Sequence, residues 1–296
     1  MQLDRTTIAI RERGILDTLD LSLHVLRIYA LPLAAAMALG AIPLMAINQL
    51  LVGWMTEPVD NEISFPFRFV WHMSILIFLE APLASVFATA YLGEAVFLER
   101  PKLWEIVRKV FKLSPRVLWC QVLVRGVGLA LIVLLTLERY DRFDVFWEGV
   151  VPTLLVIYAA AMRAFRPFMN EIVLLERNPL VSRNPRMMTV GKRSSMLHGP
   201  SSGDLFLYWC ISALVGILLM LGIYGTFLFI SGVFLHDWSF SPLMVQLFLP
   251  LAMWMTALYF TVVRFLSYLD IRIRQEGWEV ELRLRAEAVR LANRIV

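Results

Sequence analysis

Six long blocks of apolar residues with few charges restrict the fold of this chain more than any other feature. They cover residues 28–54, 67–92, 117–137, 147–175, 204–234 and 242–268. A helix of about 20 mostly apolar residues crosses the hydrocarbon core of a bilayer, whereas soluble domains spread their apolar residues periodically. We therefore predict an all-α fold: a polytopic membrane helix bundle of about six transmembrane helices, forming a single membrane domain over residues 1–296.

Basic residues are divided very unequally between the two sides of this bundle. Of the 28 Lys and Arg residues, 24 fall on one side and two on the other, while Arg68 and Arg125 fall inside spans. The 24 include Arg163, Arg166 and Arg264, which are counted with the adjoining loop or tail because they lie near the inner ends of their spans. Loops rich in Lys and Arg face the cytoplasm in multi-pass proteins. We therefore expect both termini in the cytoplasm: an amphipathic N-terminal segment over 1–27, six spans over 28–268 and a helical tail over 269–296.

The fourth apolar block is the weakest, because polar residues and Pro167 occupy its second half. It either spans the membrane in full or leaves it near Met162 and continues along the surface. We favour the full span, since leaving at Met162 would provide only about 15 apolar residues, fewer than a bilayer requires.

Each odd-numbered span follows a charged, partly apolar stretch, at 15–30, 101–118 and 184–206. The second stretch has the pattern of an amphipathic helix, with Leu103, Ile106 and Val110 on one face and Arg108 and Lys112 on the other. The chain is therefore predicted to contain three units, each a surface helix followed by a two-helix hairpin. Such repeats are common in membrane folds.

Two regions carry a family resemblance. One is Glu176 at the inner end of the fourth span together with Lys192, Arg193 and Ser194, although Ser195 stands where the family has an aromatic residue. The other is a run directly after the last span: Tyr268, Asp270, Arg272, Arg274, Glu276 and Gly277.

These residues resemble the six-helix bacterial membrane proteins of the YciC type, which are related to the membrane domain fused to some glycerophosphodiester phosphodiesterases. The resemblance implies a multi-pass protein of the bacterial inner membrane without established catalysis. Phosphodiesterase activity is not expected, because it belongs to a different domain. The motif residues amount to a small part of the chain.

Glu80 and Arg125 are charged residues at membrane depth. Each lies about eight residues from the inner end of its span, or about 12 Å deep, on adjacent antiparallel helices. A charge at that depth costs about 2.5–3.5 kcal/mol or more, so it normally faces a partner or water. We predict an intramembrane Glu80–Arg125 ion pair that fixes helix register, with a proton or substrate path, or no pairing, as alternatives.

A second set of polar residues lies in the fourth block. Arg163, Arg166 and Asn170 have the spacing of one helix face, and Glu171 adjoins them. Arginine binds phosphate well, so these residues could line a polar cavity or contact an anionic headgroup. The alternative is that the arginines extend to the inner membrane surface.

No catalytic, cofactor or metal signature is present in the sequence. The four histidines are scattered, and the Gly-x-Ser-x-Gly match at 199–203 lacks the strand that a hydrolase elbow requires. We therefore expect no enzyme activity, no cofactor and no nucleic-acid partner; the partners are the lipid bilayer and other membrane proteins. The leading hypothesis is a structural, assembly or regulatory role. The rival hypothesis is a transporter or lipid-handling protein with a polar intramembrane cavity.

Overall fold

The computed structural model describes most of the chain between Gly14 and Glu276. The described residues are 14–56, 65–96, 101–124, 126–135, 137, 143–182, 184, 186–234, 236, 238 and 241–276. They form helices and connecting turns, and this part of the chain contains no strand. The all-helical prediction is therefore confirmed for the described residues.

Eleven α-helices follow one another along the described chain. They are α1 (Ile15–Ile28), α2 (Ala30–Val52), α3 (Phe67–Ala84), α4 (Val86–Ala95), α5 (Leu103–Trp119), α6 (Gly128–Leu135), α7 (Val151–Phe165), α8 (Met169–Glu171), α9 (Val190–His198), α10 (Ser202–Phe234) and α11 (Leu249–Glu276).

Several helices are extended by π-helical stretches. These occur at Cys120–Val124, Val145–Val150, Ile172–Glu176 and Met244–Phe248. In a π-helix each hydrogen bond joins residues five positions apart, whereas in an α-helix it joins residues four positions apart. Single π-helical turns are often found at functional sites.

Within the part of the chain that the structure describes, five continuous helical segments are long and apolar enough to cross a membrane. They are Ala30–Thr56, Phe67–Ala84, Val145–Phe165, Ser202–Phe234 and Met244–Glu276. The chain therefore has the architecture of a multi-pass membrane protein. The difference from the six predicted spans lies in the third apolar block.

The third predicted span, 117–137, is interrupted. The amphipathic helix α5 does not end before the predicted span but continues through the Cys120–Val124 stretch. The predicted surface helix and the start of the predicted span therefore form one continuous helix. Gly126 then adopts a positive φ of 78°, which glycine tolerates and other residues rarely adopt. The Val127 N–H closes the turn by donating to the Gln121 carbonyl at 3.0 Å. The eight-residue α6 follows.

The fourth predicted span, 147–175, is broken as well. Helix α7 ends at Phe165, because Pro167 has no N–H to donate and disfavours a helical conformation at Arg166, whose φ is −138° and ψ 65°. The chain does not then run along the surface. After the break it continues inside the bundle as α8 and the Ile172–Glu176 stretch, where Asn170 and Glu171 are 1% and 0% exposed.

The N-terminal and C-terminal segments pack against each other. Helix α1 buries Thr18, Leu19, Ser22 and Val25 and contacts α11. The segment from Met244 to Glu276 has 33 residues, or about 50 Å of helix, which exceeds a hydrocarbon thickness of about 30 Å. Residues 1–13 and 277–296 of the two predicted terminal segments lie outside the described residues.

Helix α10 shows why the fold suits a membrane. Its sequence is apolar on all sides, yet only 6% of its most apolar 18-residue window is buried, against 56% for α3 and for the Met244–Glu276 segment. A helix that is apolar all round requires apolar surroundings. Because the bundle does not cover α10, lipid is the environment that fits it.

The end of the bundle that carries α1, α9 and Glu276 is called the basic end, and the opposite end, with Trp54 and Glu148, the acidic end.

The core lies among α2, α3, α4 and α11, where Leu33, Phe69 and Phe265 are at most 1% exposed. Helix α2 comes very close to the α3–α4 junction at Gly40. A Cβ atom on Gly40 would lie 2.7 Å from the Ala84 Cα and would overlap the Ala84 carbonyl oxygen.

Replacing Gly40 with alanine is expected to destabilise the protein. The added methyl group meets backbone that cannot move without shifting a helix, and such overpacking costs about 1–3 kcal/mol. A lower thermal unfolding midpoint in detergent should result. Gly222→Ala is the matched control: a Cβ there meets nothing within 4 Å, so its midpoint should stay equal or rise slightly. Equal midpoints for both variants would contradict the described helix contact.

Candidate functional site

Glu80 lies in α3 and accepts a hydrogen bond from Asn48 of α2. The distance from Asn48 Nδ2 to Glu80 Oε2 is 2.7 Å, and the side chain of Asn48 is fully buried while Glu80 is 6% exposed. Asn48 interrupts the first apolar block, and its role is to bind the buried carboxylate of Glu80. The predicted partner Arg125 lies outside the described residues, so the Glu80–Arg125 ion pair stays a prediction.

Arg163 is directed into the bundle, toward α3. Its guanidinium donates to the Phe78 carbonyl at 2.5 Å and to the Leu79 carbonyl at 2.8 Å, and it lies 4.3 Å from the centre of the Phe78 ring. Pro82, four residues after Phe78, has no N–H, so the Phe78 carbonyl lacks its normal helical partner. Arg163 therefore donates the hydrogen bond that the Phe78 carbonyl cannot receive from Pro82.

The helix break at Arg166 separates the residues that the spacing places on one face. Arg163 contacts α3, Arg166 is exposed at the basic end, and Asn170 and Glu171 are buried. The break lies at Pro167, within the helix face over residues 163–170, and the prediction that these residues line a cavity or contact a headgroup stays a prediction.

Asn170 connects the points at which three helices are interrupted. Its Nδ2 donates to the Pro82 carbonyl at 3.0 Å and to Ser85 Oγ at 3.3 Å, where α3 gives way to α4. Its Oδ1 accepts a hydrogen bond from Gln121, at the end of α5. We call this set the junction cluster; its members are Ser85, Thr89, Gln121, Asn170, Glu171 and Arg264.

Arg264 of α11 completes the junction cluster. Its Nε lies 2.7 Å from Glu171 Oε1, and its Nη2 lies 3.1 Å from Thr89 Oγ1 and 3.4 Å from Ser85 Oγ. Sequence reasoning assigned Arg264 to the basic residues after the last span and missed this role. Its position within a continuous apolar helix, directly before a buried run, is the signal that it needs a partner.

At the basic end, the residues that carry the family resemblance meet around Glu176. Arg193 Nε and Nη2 lie 2.7 Å and 2.8 Å from its two carboxylate oxygens, and the Tyr268 hydroxyl donates to it at 2.7 Å. Arg193 also pairs with Glu276, which accepts from Arg272 Nη2 at 2.7 Å. We call Glu176, Arg193, Tyr268, Arg272 and Glu276 the Glu176 cluster; it joins α8, α9 and α11.

Two further residues of the run after the last predicted span pair with each other. Asp270 Oδ2 lies 2.8 Å from Arg274 Nη2, one helical turn away, and Gly277 lies outside the described residues. Burial disfavours the charged form of Arg193, but the hydrogen bonds that its guanidinium donates to Glu176 and Glu276 outweigh that effect and raise its pKa. Arg193 therefore stays charged at any physiological pH.

A third polar cluster lies at the acidic end. Arg68, in the first turn of α3, binds the buried carboxylate of Glu148 through two nitrogens, at 2.6 Å and 2.5 Å. The Trp71 indole donates to the Glu148 carbonyl at 2.8 Å, and Arg68 lies 4.9 Å from the centre of the Trp54 ring. This bidentate pair connects α3 to the start of the fourth span.

These clusters have the composition of structural ion-pair networks. They contain arginine, carboxylate, amide and hydroxyl side chains that bind one another. Among the residues that the structure describes, no group of three or more His, Cys, Asp or Glu side chains is placed to hold a metal ion. The free cysteines Cys120 and Cys210 are buried and exposed, respectively.

Comparisons with protein-family models, with curated proteins and with solved structures find no match. The resemblance to the YciC type therefore stays a prediction that depends on the motif residues themselves.

Removing Arg264 is expected to destabilise the bundle strongly. Arg264→Gln leaves Glu171 as a buried charge without its partner, which costs about 3–5 kcal/mol. The double variant Glu171→Gln/Arg264→Gln should recover most of that loss, because two neutral amides replace the broken pair. The measurement is a denaturant titration in detergent that compares free energies of unfolding.

Arg108→Gln, at an exposed position of α5, is the control and should change stability by less than about 0.5 kcal/mol. Additive effects of the two substitutions at Glu171 and Arg264 would show that these residues do not interact.

Proposed function

We propose that this chain is a non-enzymatic, multi-pass protein of the bacterial cytoplasmic membrane with a structural, assembly or regulatory role. The observation that supports this proposal is that polar side chains within its helices bind one another. Arg264 binds Glu171 and Asn48 binds Glu80. Such pairs fix the positions of helices; a transport site needs polar groups that exchange partners with substrate or water.

The proposed orientation places the basic end in the cytoplasm. Its support is the distribution of Lys and Arg, since 24 of the 28 are assigned to that side of the predicted spans, and 22 when Arg163 and Arg264, which bind inside the bundle, are left out. This orientation would also put both termini in the cytoplasm. The acidic end, with Trp54, Trp71 and Trp147 near the membrane boundary, would face the other compartment.

A role in assembly needs a surface for other proteins, and α5 offers one at the basic end. Trp104 and Phe111 of α5 are 76% and 65% exposed, and Arg108 and Lys112 are exposed as well. Aromatic residues and arginine are enriched at the centres of protein interfaces. The Glu176 cluster would keep the neighbouring helices α9 and α11 rigid beside this surface.

One observation favours the rival hypothesis of a transporter or lipid-handling protein. Glu171 is fully buried, and its Oε2 atom accepts no hydrogen bond from any residue that the structure describes. A buried carboxylate oxygen with unused capacity could receive a proton or a polar substrate. The Arg264 pair on its other oxygen supports the structural role instead.

Cysteine accessibility distinguishes the two hypotheses. In a Cys120→Ala/Cys210→Ala background, Ser85→Cys tests the junction cluster with almost no change in size, and Ser195→Cys tests the exposed face of α9. A membrane-impermeant maleimide is added to sealed vesicles of either orientation. We expect no labelling of Ser85→Cys in either, and labelling of Ser195→Cys only in inside-out vesicles.

Labelling of Ser85→Cys in folded protein would show that water reaches the junction cluster, and the transport hypothesis would replace ours. Labelling of Ser195→Cys only in right-side-out vesicles would reverse the proposed orientation.

A further inference from the structure

An open cleft lies at the basic end, beside the end of the fourth span. Its volume is about 680 Å³, and Arg166, Arg186 and Lys192 line it. Arg166 directly follows Phe165, the last residue of the membrane-spanning segment Val145–Phe165. The cleft therefore adjoins the end of a segment that is long and apolar enough to cross a membrane.

Helix α9 forms one wall of the cleft because its two faces differ. Val190, Ser194 and Leu197 are buried against the bundle, and Lys192 and Ser195 on the other face are exposed. The Thr189 side chain caps the helix by accepting from the Lys192 N–H at 3.5 Å. This pattern turns one side of the short helix toward the cleft.

The position of α9 is fixed by contacts at both of its ends. Arg193 is bound within the Glu176 cluster, and His198 Nε2 lies 3.1 Å from the Ala164 carbonyl, near the end of α7. The cleft wall is thus attached to α7, α8 and α11 and is preformed. A preformed site binds more tightly, since less ordering accompanies binding.

The loop before α9 supplies the second arginine. Asn184 forms an Asx turn in which its Oδ1 accepts from the Arg186 N–H at 3.0 Å, and the Met187 N–H donates to the Asn184 carbonyl at 3.1 Å. The turn places Arg186 across from Arg166. Among the described residues, neither guanidinium forms an ion pair.

The remaining wall is apolar. Met187, Met188 and Met196 line the cleft and are 50%, 38% and 52% exposed. Methionine is flexible and polarizable, and it adapts to irregular apolar partners. A cleft with arginine on one side and methionine on the other suits a ligand with a phosphate group and an adjoining hydrocarbon chain.

We propose that this cleft binds the headgroup of an anionic phospholipid from the adjacent leaflet. Arg166 and Arg186 bind the phosphate, since the planar guanidinium pairs with phosphate oxygens through two nitrogens. Lys192 adds positive charge, and the three methionines pack against the first methylene groups of the acyl chains. A free phosphate ion would make no apolar contact with the three methionines. The location of the cleft at the end of a span also favours a lipid.

Native mass spectrometry in detergent tests this proposal with equal amounts of phosphatidylglycerol and phosphatidylcholine. We expect the protein to retain phosphatidylglycerol in preference to phosphatidylcholine. Each basic side chain near an anionic headgroup contributes about fivefold to affinity. Arg166→Gln/Arg186→Gln should therefore weaken phosphatidylglycerol binding about thirtyfold and phosphatidylcholine binding much less, because the choline cation of that headgroup balances its phosphate.

The control variant is Arg27→Gln/Arg108→Gln, which removes the same charge from exposed positions of α1 and α5 at the same end. It should retain the selectivity of the unmodified protein to within about twofold, and both variants should unfold at the unmodified temperature. Equal losses in the two double variants would mean that net charge alone attracts the lipid. Complete displacement of the lipid by millimolar inorganic phosphate would indicate a small-anion site. Either result would overturn the proposal.

Discussion

The structure depends on the cost of leaving a polar group without a partner in hydrocarbon. Water is absent there, so each unsatisfied backbone or side-chain group costs several kcal/mol. The helices of this protein are interrupted at Pro82, Gly126 and Pro167, and each interruption releases backbone groups. Arg163 and Asn170 donate to carbonyls of α3 near Pro82, and the Gln121 carbonyl accepts from the Val127 N–H at the Gly126 turn. The polar residues of the spans are thus explained first by the geometry of the helices that contain them.

The same requirement connects the two ends of the bundle. Glu148 at the acidic end, Glu171 in the junction cluster and Glu176 at the basic end each bind an arginine from a different helix. All three carboxylates come from the region around α7 and α8, the part of the chain whose apolar character is weakest. That region is therefore attached to α3, α9 and α11 by charge pairs in addition to packing. The exposed charges of the basic end, by contrast, lie on surfaces that remain open to lipid headgroups or protein partners.

The sequence predicted most of the helices and few of the contacts between them. Apolar blocks are local features, so the spans that begin near residues 30, 67, 202 and 244 were located to within a few residues. The interruptions at Gly126 and Pro167 were missed or left open, because the conformation at a helix break depends on contacts with residues far along the chain. The pairs Asn48–Glu80 and Arg264–Glu171 join residues 32 and 93 positions apart. No local pattern specifies such partners, although each residue alone was recognisable as a polar group in an apolar block.

The central claim is that the polar groups of the spans are held in fixed pairs, and the Arg264–Glu171 contact tests it most directly. Solid-state NMR on protein in lipid bilayers can measure the dipolar coupling between the Arg264 Nε nitrogen and the Glu171 carboxylate carbon. The account predicts a strong coupling that corresponds to the 2.7 Å contact between Nε and Oε1 and that does not change with lipid composition. A coupling too weak for direct contact, in protein that is otherwise folded, would contradict it.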